Sequence, residues 1–335
     1  MPYRAAVIGC GLIGSAFADD PRAPGIYSHA AAYVTCPETD LVAVCDIDQA
    51  RAEQCATRWG VPAAYADVDD LLASEHPALV SVCTPDASHF DVVRSVLSAP
   101  STRGVLAEKP IATTLEHADH LVALARVRGI SLAVNYVRRY APTHVKLREW
   151  IRDGGIGAVQ TVGGLYTKGT LHNGTHWFDL ARFFVGDVVE VWGFDARREG
   201  GVDPTLDAFL RFGSGASAHL HGCDATAFSV FELDVIGTTG RVRLTESGHH
   251  AEVQHVIDSP YYSGYRTLGA SSERSSDMDD LLLRAVEDLV RSVGSGAAPR
   301  CAGEDGLEAL RIALAVQASA ASGNPVQLGG PDRNH

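Results

Sequence analysis

Gly9-Cys10-Gly11-Leu12-Ile13-Gly14 follows a short apolar run, Tyr3–Ile8, and its GxGxxG spacing is that of a turn built to carry a pyrophosphate. Gly9 permits the tight turn, Gly11 lets the main chain approach the anion, and Gly14 lets a following helix pack closely on the strand. The N-terminus of that helix offers free N–H groups and a positive dipole end to the phosphates. The plain alternative is a glycine-rich turn that binds nothing, but the strand before it and the parallel-sheet rhythm after it favour a dinucleotide. Asp46 ends the second apolar run, Val44-Cys45-Asp46-Ile47-Asp48, where a carboxylate can accept from both ribose hydroxyls of adenosine and repel a 2′-phosphate. No Arg or Ser stands immediately beside it, so NAD is expected in preference to NADP. The competing use of Asp46 is as a helix N-cap. Its distance from Gly14 exceeds the usual spacing of roughly 20 residues, and residues 18–27 read as an inserted loop.

These residues need a frame. Tyr3–Ile8, residues 41–45 and 79–83, Gly104–Ala107 and Ser131–Val134 are short, apolar and rich in Val. They alternate with helical patterns at residues 50–59, 87–97 and 115–128. Such runs, buried on both faces and separated by helices, predict a doubly wound parallel sheet, with an NAD-binding domain over residues 1–135. Beyond about residue 150, strand-like runs joined by glycine-rich turns predict a second α/β domain, residues 136–335, on an open and mostly antiparallel sheet. Helical patterns stand at residues 175–184, 279–293 and 306–322, and residues 271–277 read as an exposed polar loop. The closing helices are candidates to pack back on the first domain.

With 28 basic and 41 acidic residues among 335, the formal net charge is −13, and there is no long basic run. Nucleic acid and anionic membranes are therefore not expected as partners. No stretch approaches the roughly 20 apolar residues that span a bilayer. The N-terminus lacks the order of a signal peptide. Seven cysteines without a CxxC or zinc pattern suggest a reducing cytoplasm, and no metal site is expected. The adjacent His249 and His250 read as a solvent-facing pair on a strand-edge loop.

Three further segments carry a resemblance: Thr84-Pro85-Asp86-Ala87-Ser88-His89, Glu108-Lys109-Pro110, and Gly174-Thr175-His176-Trp177-Phe178-Asp179-Leu180. With the glycine turn, and with residues 135–157 and 303–328, they make the chain similar to the glucose–fructose oxidoreductase, inositol dehydrogenase and rhizopine catabolism (Gfo/Idh/MocA) family of NAD(P)-dependent sugar and cyclitol dehydrogenases. The resemblance implies a Rossmann domain followed by an open-sheet α/β domain, with the family's active site in the cleft between them. It implies cofactor-binding positions at Gly9, Gly11, Leu12, Ile13, Gly14, Asp46, Thr84, Pro85, Glu108 and Lys109. His89 is expected to begin or stabilise the next helix close to the cofactor. A cis bond before Pro110, and homodimers or homotetramers packed through the open sheets, are also family expectations.

Oxidising a secondary alcohol requires a hydride acceptor and a base for the hydroxyl proton. His176 matches the family histidine in the second role, with an imidazole pKa of about 6.5 in free solution. Lys109 matches the family lysine that stabilises charge on the reacting oxygen. Family members commonly carry Asp four residues before the histidine; here that position is His172. Asp179, three residues after His176, is the alternative carboxylate on the same helical face, and His172 becomes a substrate-binding candidate. Tyr136, Arg139, Asn135 and Tyr166 complete the expected substrate contacts, with Arg139 either gripping an anionic group or pairing with an acidic residue. The implied reaction is NAD-dependent oxidation of a ring hydroxyl of a sugar, aminosugar, sugar nucleotide or cyclitol. The alternatives are redox-neutral work with tightly held NAD, such as glycoside cleavage or epimerisation through a transient ketone, and a non-catalytic NAD sensor.

Overall fold

The computed structural model describes residues 1–22, 25–198 and 200–329. The chain divides into two compact units, Met1–Tyr140 with Asp279–Leu310 and Ala141–Met278 with Arg311–His335. In chain order the first part holds β1 (Tyr3–Ile8), α1 (His29–Thr35), β2 (Thr39–Cys45), α2 (Gln49–Trp59), β3 (Ala63–Tyr65) and α3 (Val68–Glu75). It continues through β4 (Leu79–Val82), α4 (His89–Ser98), β5 (Gly104–Ala107), α5 (Leu115–Arg128) and β6 (Ser131–Val134). Then come α6 (Pro142–Arg152), β7 (Val159–Tyr166), α7 (Thr175–Val185), β8 (Val188–Phe194), β9 (Asp207–Phe212) and β10 (Ser217–Gly222). β11 (Phe231–Gly237), β12 (Gly240–Thr245), β13 (His250–Asp258), β14 (Arg266–Leu268), β15 (Ser272–Ser275), α8 (Leu281–Ser295), α9 (Gly303–Ser322) and β16 (Val326–Gln327) close the chain.

The first unit is built on a six-stranded sheet of order β3-β2-β1-β4-β5-β6, parallel at every pairing. Its inner strands are buried along their length, as a sheet covered on both faces requires. Asp48 caps α2 by accepting from Ala50 N and Arg51 N, and Gly60 ends that helix in the left-handed conformation. Gly104 lets α8 lie on β5: a Cβ there would fall 2.8 Å from Val293 Cγ2 and 3.1 Å from Leu289 Cδ1.

Two features of this unit depart from the sequence expectation. β3 is three residues of Ala-Ala-Tyr, too short for a periodic signal. The helix expected after the glycine turn is split. Ser15 N donates to Gly11 O and Phe17 N to Leu12 O, and then the chain loops out. α1 resumes the ladder, with His29 N donating to Ile13 O and Ala30 N to Gly14 O at 3.0 Å each. The inserted loop thus interrupts the helix and delays the second strand; its residues 23 and 24 lie outside the described residues.

The second unit carries a ten-stranded sheet of order β14-β13-β12-β11-β7-β10-β9-β8-β16, with β15 on β13. It is antiparallel except that β7 and β10 run parallel. Residues 271–277, expected as loop, contain β15, whose polar side chains conceal a strand paired to β13. His250 belongs to β13 and is half-buried. α7 packs its buried Trp177 against Gly164, whose missing side chain leaves room for the indole, and Trp177 Nε1 donates to Glu232 O at 2.9 Å. No helix among the described residues is long and apolar enough to cross a membrane. All seven cysteines are free thiols, and all but Cys223 are buried.

Candidate active site

A cleft of about 650 Å³ opens at the carboxyl ends of the first unit's strands, lined by Gly9, Gly11, Asp46, Arg51, Thr84 and Pro85 among others. This is where an open parallel sheet binds ligands. Gly9 sits at φ 96°, and a Cβ on it would lie 2.6 Å from the carbonyl carbon and oxygen of Cys83, so only glycine closes this turn. A Cβ on Gly11, by contrast, would meet nothing within 4 Å, so its bare backbone borders free space. Gly14 packs against the Gly9 carbonyl. Leu12 is exposed.

Asp46 is buried, 7% exposed. Its Oδ2 accepts from Cys10 N at 2.8 Å and its Oδ1 from Asp48 N at 3.0 Å. Arg51, from the first turn of α2, places Nη1 at 3.2 Å from Asp46 Oδ1. That corrects the expectation that no arginine stands beside Asp46: five residues on, helical winding returns Arg51 to it. The Thr84 hydroxyl is buried without a hydrogen-bond partner among the described residues. An oriented carboxylate with spare lone pairs, an open glycine backbone and an orphan hydroxyl in one cleft fit a dinucleotide.

Beside this cleft, the end of β5 begins a buried polar network. Glu108 Oε1 accepts from Asn135 Nδ2 at 2.6 Å and stands 3.0 Å from His29 Nε2. His29 Nδ1 lies 2.9 Å from Ser81 Oγ, which donates to the Tyr33 hydroxyl at 3.1 Å. Burial pushes the Glu108 carboxyl up, but the hydrogen bond and charge of His29, the Asn135 amide and the Lys109 ammonium more than offset it, so the net shift is below the ordinary value. Lys109 N donates to Glu108 Oε2 at 3.2 Å, and the Lys109–Pro110 bond is cis. His89 opens α4 with its ring nitrogens 2.6 Å from Pro110 O and 2.7 Å from Thr84 O, tying the two turns together. Tyr136 is buried. Arg139 is buried as well, its Nη2 3.0 Å from Asp305 Oδ1.

In the second unit, Lys168 takes a left-handed backbone at φ 71°. A π-helical turn over Gly169–Gly174 then leads directly into α7, a geometry found frequently at functional sites. Asp203 fastens the turn, with Oδ1 accepting from Leu171 N at 2.7 Å and Oδ2 from His172 N at 2.9 Å. His172 is exposed, and His176, second residue of α7, is half-buried. Asp179 lies one turn on and is buried. Tyr166 is fully buried, donating to Leu206 O at 2.8 Å, with its hydroxyl 3.0 Å from Thr170 Oγ1. His29, Arg51 and Asp203 were not anticipated. Only His29 left a trace in the sequence, as a lone polar ring ahead of the apolar run that follows it.

Residues 3–136 match the oxidoreductase family with an NAD-binding Rossmann fold, and residues 167–243 match the Gfo/Idh/MocA C-terminal domain. The chain belongs to this family of NAD(P)-dependent oxidoreductases. Myo-inositol 2-dehydrogenase of Thermotoga maritima is 25% identical, the match covering 97% of this chain and 98% of that one. D-glucoside 3-dehydrogenase of Escherichia coli is 30% identical over 58% of this chain and 55% of its own. Among solved structures, levoglucosan dehydrogenase in complex with NADH and L-sorbose superposes at a TM-score of 0.82 with 18% identity, covering 98% of this chain and 100% of that one. At that identity the likeness concerns the fold.

Proposed function

We propose that the protein is an NAD-dependent dehydrogenase that oxidises, reversibly, a ring secondary hydroxyl of a sugar or inositol-like cyclitol. The observation that carries this reading is the Asp46 carboxylate, oriented by two main-chain N–H groups at the mouth of the glycine turn. Gly9 and Gly11 would carry the pyrophosphate, and Asp46 the adenosine ribose. NAD is preferred over NADP because Asp46, Asp67, Asp69 and Asp91 all line the cleft, against Arg51 as the one cation lining it among the described residues. A 2′-phosphate would meet like charge there.

Bound nicotinamide supplies the hydride acceptor. The Lys109 ammonium stabilises negative charge on the substrate oxygen, and the His176 imidazole takes the hydroxyl proton. The Glu108, His29 and Asn135 network fixes the main chain from which Lys109 projects. Asp179, one turn after His176, is the carboxylate that orients the imidazole, and His172, one turn before it, contacts the substrate. Relatives named as inositol and sugar dehydrogenases support this substrate class.

Self-association through the outward face of the second sheet belongs to the same reading. Trp192, Phe209 and His219 align across β8, β9 and β10 on that face, and a mass measurement in solution tests it. The activity is tested by incubating the protein with NAD or NADP and a panel of aldopyranoses, glycosides and inositols while following reduced nicotinamide by absorbance. NAD reduction with at least one cyclic polyol is expected. Demonstrated NAD binding with no turnover on any of them would overturn the reading.

A further inference from the structure

The first unit has another cleft, at the end of its sheet opposite the glycine turn. Thr102 and Arg103 lead into β5 and Ser131 opens β6, so the walls lie at the amino ends of parallel strands. The space is about 460 Å³, within the range of small-molecule sites.

Three arginines border it, Arg103, Arg126 and Arg128, against one carboxylate, Glu304. In a chain of net charge −13 this is a local reversal of sign. Among the described residues, none of the three forms an ion pair. Arg103 Nη2 donates to Val293 O at 3.4 Å, and its guanidinium lies over the Tyr3 ring. Arg128 donates to Ser98 O at 3.3 Å and Ala99 O at 3.4 Å. These long bonds are ordinary arginine caps on helix C-termini. They use one or two of the five donors that each guanidinium carries.

Capping leaves two other features without a role. Thr102 is 5% exposed, lines the cleft, and has a buried hydroxyl with no hydrogen-bond partner among the described residues. Buried polar groups are normally satisfied, so an orphan hydroxyl at a cleft wall is a hydrogen-bonding group that the surrounding fold does not use. The first turn of α9 also reaches the same space, at Gly303 and Glu304, bringing the positive end of a twenty-residue helix. Val122, Ile130 and Leu132 add an apolar wall.

We propose that this cleft binds a small phosphate monoester, with the phosphate held by Arg126, Arg128 and Arg103, the Thr102 hydroxyl bonded to it, and the organic part against the apolar wall. The site is separate from the dinucleotide cleft and does not depend on the proposed dehydrogenase activity.

Phenyl phosphate is the probe, because it resembles neither a polyol substrate nor a dinucleotide, and calorimetric titration of NAD-saturated protein is the measurement. One saturable site is expected. Arg126→Glu and Thr102→Val should each weaken it by tenfold or more, with NAD affinity and thermal midpoint unchanged. Arg126 is exposed and Val is close in shape to Thr, so both variants should fold. Absence of saturable binding, or binding indifferent to both substitutions, would overturn the proposal.

Discussion

The main-chain N–H of Cys10, at the crown of the glycine turn, donates to Asp46 Oδ2 at 2.8 Å. The phosphate-binding and ribose-binding elements are thereby one hydrogen-bonded object, although 36 residues separate them in sequence. Asp46→Ala should weaken NAD binding by about ten- to a hundredfold, the scale of losing hydrogen bonds to a charged group. It should narrow the preference for NAD over NADP as well. Fluorescence titration with both cofactors reads the two effects.

The glycines of the turn separate folding from binding. Gly11→Ala puts a methyl into open space, so stability should hold while NAD affinity falls. Gly9→Ala drives its Cβ toward the Cys83 carbonyl at 2.6 Å from a left-handed backbone, and should lower the thermal midpoint itself. Thermal melts with and without NAD distinguish the two.

Glu108 sets an acid limit. Its folded carboxyl lies below the ordinary value. The stability it contributes is therefore complete above the unfolded value of about 4.3 and is lost as pH falls through the lower folded one. Glu108→Gln should flatten the stability profile over that acid window, and it should lower turnover by loosening the main chain at Lys109. Denaturant midpoints measured across the acid range check the first effect, steady-state rates the second.

His29 acts on that same carboxylate from α1. His29→Ala removes its hydrogen bond and leaves Glu108 buried with fewer partners. Loss of stability is expected, on the order of 3 kcal/mol, as when one partner of a buried pair is removed. Urea unfolding measures it.

Legibility in the sequence followed range. Five of the six parallel strands, the α5 boundaries and the glycine turn were readable because each is written in one continuous segment of periodic or motif residues. Asp46 was found because it ends such a segment. What escaped depends on contacts between segments: Arg51 reaching back over a helical turn, His29 meeting Glu108 across 79 residues, and Asp203 fastening the turn at His172 across 31. β15 escaped for another reason, since its strand is specified by its partner β13 and its own residues are all polar.

The most direct measurement is single-turnover reduction of bound NAD by an accepted polyol in native protein, Lys109→Met and His176→Asn, with NAD affinity determined on the same samples. The account predicts unchanged affinity and a rate lowered by about a hundredfold or more in each variant. Rates equal to native in both, at equal NAD occupancy, would contradict it.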